Sequence, residues 1–211
     1  MSQQREERCN EILVFIVDES YGREHEYVDP TRFEDEIAWV SAASQKYRGG
    51  LVEEFSEPFE RVNVGPGADL PAFVVVISEK VFPLIPWLMA VFFSGKPIVD
   101  NLDAWPEILK RISPFYSRQV LLNRQGAAVL AFNAVLDEME GIPKTVRLIS
   151  YRNGYCYDEE EFIVGCDGRI DDAPSTLNLG LIKHIFDIEA DGVIFGVTVD
   201  GKRVTIRRRQ F

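Results

Sequence analysis

Two unbroken apolar runs constrain the fold of this chain most strongly. The first extends from Ile12 to Val17, directly before Asp18, and the second extends from Ala72 to Ile77. A strand covered on one face alternates apolar and polar residues, whereas a strand covered on both faces is apolar throughout. Coverage of both faces is typical of parallel sheets, so the runs predict two central strands of a parallel sheet flanked by helices.

Helix signals separate the predicted strands. Asp29-Pro30 is typical of a helix start, and the helix that follows is expected to end at Gly49-Gly50. Residues 81–93 predict a buried helix, Ile98-Val99 a short strand, and Asp103 the cap of a further helix. The order strand, helix, strand predicts an α/β fold for the N-terminal half, with right-handed crossovers.

Turn signals change the pattern in the C-terminal half. Asn123 can cap a helix that carries small residues and ends before Gly141. Beyond Thr145, tight hairpin turns are predicted at Asn153-Gly154, Asp167-Gly168 and Asp200-Gly201, because these dipeptides tolerate positive φ angles. An α+β half with antiparallel hairpins is therefore expected.

Ser113-Pro114 is the predicted boundary between the two halves, because proline disfavours helical geometry in the residue before it. We expect an α/β sheet domain over residues 1–113 and an α+β domain over residues 114–211. One continuous unit is the alternative.

The net charge is unevenly distributed along the chain. The total is −11, and residues 1–60 carry 15 acidic and 6 basic side chains, a net charge of −9. Such a surface repels phosphate backbones, so no nucleic-acid partner is expected. Arg207-Arg208-Arg209 is the basic exception, and the sequence predicts an edge strand whose charges discourage aggregation there.

Cysteine usage and apolar segments bear on the compartment. Cys9, Cys156 and Cys166 form no C-x-x-C pair and are odd in number, which favours a reducing environment. The first residues lack the apolar core of a signal peptide, and residues 81–93 are too short to cross a bilayer. We therefore predict a cytoplasmic protein with no membrane span.

Polar side chains follow the two apolar runs. In a parallel sheet the carboxyl ends of strands share one edge, where ligands collect. The candidate ligand site therefore comprises Asp18, Glu19, Ser20, Ser78 and Glu79. The loops hold neither G-x-G-x-x-G nor a P-loop, so no cofactor is predicted. His184, between Leu181-Ile182 and Ile185-Phe186, is expected to be a packed or half-exposed side chain rather than a general base.

Three short strings lie close together in the sequence: Phe73-Val-Val-Val-Ile-Ser78, Pro86-Trp87 and Gly95-Lys96-Pro97-Ile98. Together they resemble the pattern of a TIR domain. The helix after Pro86-Trp87 reads Leu88-Met-Ala-Val-Phe-Phe93, without the glutamate that NAD-cleaving members carry there. The resemblance therefore implies a non-enzymatic adaptor or scaffold.

Two functional hypotheses follow. The first is a non-enzymatic adaptor, regulatory or immunity-type protein whose acidic surface holds a protein partner, to which a basic partner would be complementary. The second is a nucleotide-handling α/β enzyme that uses carboxylates near Asp18, Glu19 and Glu79. Convergence of those side chains in a pocket would favour the enzyme.

Overall fold

The computed structural model describes residues 11–18, 33–63, 71–77, 83–156, 162–164 and 182–209. These residues form two antiparallel sheets and four α-helices. The helices are α1 (Phe33–Phe55), α2 (Ile85–Phe93), α3 (Ala104–Ile112), which continues as a 3-10 helix over Ser113–Ser117, and α4 (Arg124–Glu138). The strands are β1 (Ile12–Val17), β2 (Glu60–Asn63), β3 (Pro71–Ile77), β4 (Val120–Leu122), β5 (Val146–Cys156), β6 (Phe162–Val164), β7 (Ile182–Ala190), β8 (Val193–Asp200) and β9 (Arg203–Arg209).

The first sheet has the order β2-β3-β1-β4, and every neighbouring pair is antiparallel. Ile12 pairs with Ile77 and Val17 with Ala72. The predicted α/β fold with a parallel sheet is therefore wrong. β1 is central and buried at all six positions, as its apolar run indicates. Burial of both faces does not depend on the direction of the neighbouring strands, so the run could not distinguish the two kinds of sheet.

The second sheet has the order β6-β5-β7-β8-β9 and is also antiparallel. The hairpin predicted at Asp200-Gly201 is confirmed, with Gly201 at a φ of 58° between β8 and β9. The turn predicted at Asn153-Gly154 is wrong, because both residues lie within β5. Gly154 pairs with Lys183 on one side and Val164 on the other, so both neighbours hold it extended. Asp167-Gly168 lies outside the described residues.

α4 packs against strands of both sheets and against α3. Its residues are buried on all sides from Gln125 to Asn133, which marks a helix inside a core rather than on a surface. A Cβ on Gly126 would lie 3.1 Å from the Leu122 side chain and 3.4 Å from that of Ile12. A side chain at this position would require Leu122 to move by a few tenths of an ångström, so glycine favours this close contact with the first sheet.

One apolar cluster joins the two halves of the chain. It includes Ile12 and Phe73 from the first sheet, Trp105 from α3, and Phe186 and Phe195 from the second sheet. β4 follows Ser113-Pro114 in the sequence yet pairs with β1. The division into residues 1–113 and 114–211 stays a prediction.

The helix predictions are partly confirmed. α3 begins directly after Asp103, although the Asp103 side chain makes no capping hydrogen bond, and α2 buries Ile85, Leu88, Met89 and Phe92. Ile98 forms an isolated bridge with Val146 rather than the predicted strand. No helix of the described segments is both long and apolar enough to cross a membrane.

α1 does not end at Gly49-Gly50 as predicted but continues to Phe55. Leu51 is buried in the main core, and Phe55 packs against it, with its ring 4.9 Å from that of Phe115. Each helical glycine costs roughly 0.5–1 kcal/mol relative to alanine. Burial of Leu51 and packing of Phe55, both beyond the two glycines, offset this cost.

Alanine at either glycine should therefore stabilise the protein. A Cβ on Gly49 or Gly50 would meet no atom within 4 Å, so Gly49→Ala and Gly50→Ala should each raise the free energy of unfolding by about 0.5–1 kcal/mol. Urea unfolding of each variant measures the change. A loss of stability would show that α1 is broken at these positions in solution.

Asn123 joins the first sheet to α4. Its side-chain oxygen accepts hydrogen bonds from the backbone N–H groups of Gly126 at 3.0 Å and Leu13 at 3.1 Å, and its amide donates to the carbonyl of Glu11 at 2.8 Å. The predicted cap is confirmed, and the same buried side chain also hydrogen-bonds the backbone at the start of β1, next to the residues that β4 pairs with.

We expect Asn123→Ala to lower the free energy of unfolding by roughly 2–4 kcal/mol, because it removes a helix cap and leaves buried backbone groups without a partner. Asn123→Ser keeps a capping oxygen without placing a charge in this fully buried site but loses the amide donor to Glu11, and should cost less in the same urea titration. Equal stabilities for the two variants would contradict this role of the oxygen.

Candidate functional site

The second sheet has two different faces. One face packs apolar side chains such as Phe186, Phe195 and Val197 into the main core. The residues between them point to the opposite side, which we call the charged face. It comprises Arg147, Ser150, Arg152, Lys183, Ile185, Asp187, Glu189, Ile194, Gly196, Thr198, Asp200, Arg203, Thr205, Arg207 and Arg209.

The net charge of the charged face is opposite in sign to the net charge of the whole chain. The charged face carries six basic side chains (Arg147, Arg152, Lys183, Arg203, Arg207 and Arg209) and three acidic ones (Asp187, Glu189 and Asp200), a net charge of +3. The whole chain has a net charge of −11. Basic side chains are thus concentrated on one side of an acidic protein.

Ion pairs between neighbouring strands position several of these side chains. Arg147 on β5 contacts Glu189 on β7 at 2.6 Å, and Lys183 on β7 lies 4.0 Å from Asp200 on β8. Exposed pairs of this kind contribute at most about 1 kcal/mol to stability. Their main effect is to restrict where the long basic side chains lie.

Asp187 is the centre of the charged face. Its carboxylate is 2.6 Å from the hydroxyl of Ser150, 3.0 Å from the guanidinium of Arg209 and 3.8 Å from that of Arg152. Only 10% of the Asp187 side chain is exposed. One nearly buried carboxylate thus lies between two half-exposed arginines of the same face, Arg152 on β5 and Arg209 on β9.

Gly196 makes the contact between Arg209 and Asp187 possible. Arg209 lies on β9 and Asp187 on β7, with β8 between them. A Cβ on Gly196 would be 3.2 Å from Nε of Arg209 and 3.7 Å from Oδ1 of Asp187. The guanidinium therefore crosses β8 where that strand has no side chain.

Arg203 and Arg207 occupy the outer edge of the charged face and are exposed. Neither makes an ion pair with the part of the chain that the structure describes, unlike Arg209 on the same strand. The sequence prediction of a charged edge strand over Arg207–Arg209 is confirmed, because β9 is the last strand in the order of its sheet.

Of the ligand site predicted from the sequence, Asp18 is described and buried, with 2% of its surface exposed. Glu19, Ser20, Ser78 and Glu79 lie outside the described residues. The reason for expecting them together was a parallel pairing of the two runs. In the antiparallel pairing, Ile77 lies beside Ile12, which is six residues from Asp18 and therefore roughly 20 Å away along the strand. The ligand site stays a prediction, but the parallel pairing that supported it is absent.

His184 is one of the buried polar side chains of the described residues. Its Nδ1 is 3.0 Å from the hydroxyl of Tyr151, and its ring also hydrogen-bonds the backbone of Leu122 in the first sheet. The guanidinium of Arg124 lies 4.4 Å from the ring centre of Phe93 and 6.0 Å from that of Tyr151. His184 is packed, as predicted, and it links the two sheets.

Burial lowers the pKa of His184 from 6.5 to about 4; the hydrogen bond to Leu122 opposes this shift, and the charge of Arg124 adds to it. The imidazole is therefore neutral at pH 7. Because its pKa is lower in the folded than in the unfolded chain, its stabilising effect is complete above pH 6.5 and is lost as the pH falls toward 4.

The lowered pKa of His184 predicts that the protein loses stability as the pH falls. Between pH 7 and pH 5, His184 should account for a loss of about 2 kcal/mol in the free energy of unfolding. Urea unfolding of the wild type and of His184→Gln at both pH values isolates this part, because the other titrating groups are common to both proteins. Equal losses in the two proteins would show that His184 is not held neutral.

Comparison with known proteins adds no functional information: no family model matches the chain, and no curated protein or solved structure does either. The resemblance to TIR domains rests on short strings alone. In the structure, Pro86-Trp87 lies at the start of α2, and Gly95-Lys96-Pro97-Ile98 leads to a bridge with the second sheet.

The charged face was missed in the sequence, although part of its signal was present. Asp191-Gly192 forms the turn between β7 and β8, with φ angles of 48° and 83°. Recognising this dipeptide as a hairpin turn would have placed Asp187 and Glu189 opposite Gly196 and Ile194. Charges scattered over residues 147–209 would then have been assigned to one face.

Proposed function

We propose that the protein is a non-catalytic binding protein, of the adaptor, regulatory or immunity type, that holds a protein partner through surface charge. The observation that carries this proposal is the charged face of the second sheet. The described helices pack on the opposite face of that sheet, so its outer side is open among these residues.

Ion pairs that already restrict the arginine side chains of the charged face favour binding. A flexible arginine loses conformational freedom when a partner immobilises it, at a cost of roughly 0.5–1.5 kcal/mol. Arg147 and Arg209 already have this freedom restricted by Glu189 and Asp187. A partner that contacts them therefore pays less of this entropic cost.

The sign of the charged face favours an acidic partner surface. The sequence hypothesis placed binding on the acidic N-terminal third, but 1–10 and 19–32, which hold many of its carboxylates, lie outside the described residues. The described residues support a basic surface instead. A local positive field on an acidic protein also orients an approaching acidic surface toward that side.

A charge reversal tests the proposal. Arg207→Glu should reduce recovery of partner proteins by about tenfold or more when the tagged protein is used as bait in its native lysate, because it places like charges in contact. High salt should have the same effect on the wild type. Bound proteins are quantified by mass spectrometry.

Arg111→Glu is the matched control, because Arg111 is an exposed arginine on α3, away from the second sheet. It changes the net charge by the same amount and should leave recovery unchanged. Equal recovery with both variants, or recovery independent of salt, would contradict the proposal.

A further inference from the structure

β9 is a regular strand with one unused edge among the described residues. It pairs with β8 at seven consecutive positions, from Arg203 opposite Asp200 to Arg209 opposite Ile194, with no irregularity. No strand of the described segments pairs with its other side. Alternate N–H and C=O groups along such an edge can pair with a further strand.

The core-facing side of β9 is well anchored. Val204 and Ile206 pack against the main apolar cluster. Arg208 donates a hydrogen bond to the carbonyl of Glu138 at 2.9 Å and lies 3.1 Å from its carboxylate. These contacts with α4 hold the strand in an extended conformation, so an incoming segment would not have to order it.

The side chains that β9 contributes to the charged face favour an acidic strand as its next neighbour. Arg203, Thr205, Arg207 and Arg209 lie there at alternate positions. Another copy of β9 would bring arginines beside arginines, which is destabilising across strands. A segment with Glu or Asp at alternate positions would place carboxylates beside these arginines, and Arg203 and Arg207 have no ion pair within the described residues.

We propose that β9 accepts an extended, acidic segment of the partner protein as a further strand of the second sheet. Backbone hydrogen bonds would supply affinity, and the arginines would select acidic side chains at alternate positions. This inference rests on the proposed function, because it states how that partner is held. A nucleic acid could contact the same arginines but has no peptide backbone to extend the sheet.

Synthetic peptides test the inference on the full chain. The probe alternates glutamate with threonine and is as long as β9; a lysine and threonine peptide is its control. Two further probes carry N-methyl groups on alternate residues, one set on the glutamates and the other on the threonines. Binding is measured by isothermal titration calorimetry.

A strand turns alternate N–H groups toward its neighbour, so one N-methylated peptide should bind about tenfold or more weakly and the other as tightly as the parent. Arg207→Glu should weaken the parent peptide, whereas Arg111→Glu, which makes the same charge change on α3 away from the second sheet, should not. Equal binding of both methylated peptides would overturn strand addition, as would equal binding of the lysine peptide or tighter binding of a single-stranded oligonucleotide.

The two proposals can fail separately. If no acidic peptide binds but Arg207→Glu still reduces recovery of partners, strand addition is wrong and the proposed function stands. If peptides bind but Arg207→Glu leaves partner recovery unchanged, the proposed function is wrong, and strand addition loses the partner on which it rests.

Discussion

Burial of α4 on all sides is the interaction on which the rest of the structure depends. This helix packs against both sheets and α3, and its one aromatic ring and its small residues occupy the main core, where Phe132 stacks on Trp105 with ring centres 4.4 Å apart. Asn123 determines where the helix begins and binds it to β1. With one face of the second sheet committed to this core, the opposite face is available for charged side chains.

Polar side chains inside the core form hydrogen bonds that connect the two sheets. Asn123 and His184 each connect residues that belong to different elements, and His184 remains neutral because burial lowers its pKa to about 4. Burial of a polar group without a partner is costly, so these hydrogen bonds also define how the sheets meet. His184, a residue type that often acts as a general base, therefore has a structural reason to be buried there.

The charged face shows how a sheet can separate stability from binding. Alternation along each strand sends apolar side chains to α4 and charged ones outward, so Arg207 can change without disturbing Phe195 or Val197. Antiparallel sheets commonly leave one face to solvent. Here the exposed face has a net charge opposite in sign to that of the whole chain, which is the physical basis for the proposal that a partner binds there.

Local chemistry in the sequence determined much of the structure. The apolar runs located β1 and β3, Asn123 located the start of α4, and Asp200-Gly201 located the last hairpin, because burial, capping and turn geometry act within a few residues. Strand direction was decided only by tertiary structure, since the apolar run of β1 is compatible with neighbours of either direction. The same holds for Gly49-Gly50 and Asn153-Gly154, where packing of Leu51 and pairing on both sides of β5 outweighed local preferences. The charged face is also a tertiary property, because long-range strand register alone brings Arg147, Asp187 and Arg209 together.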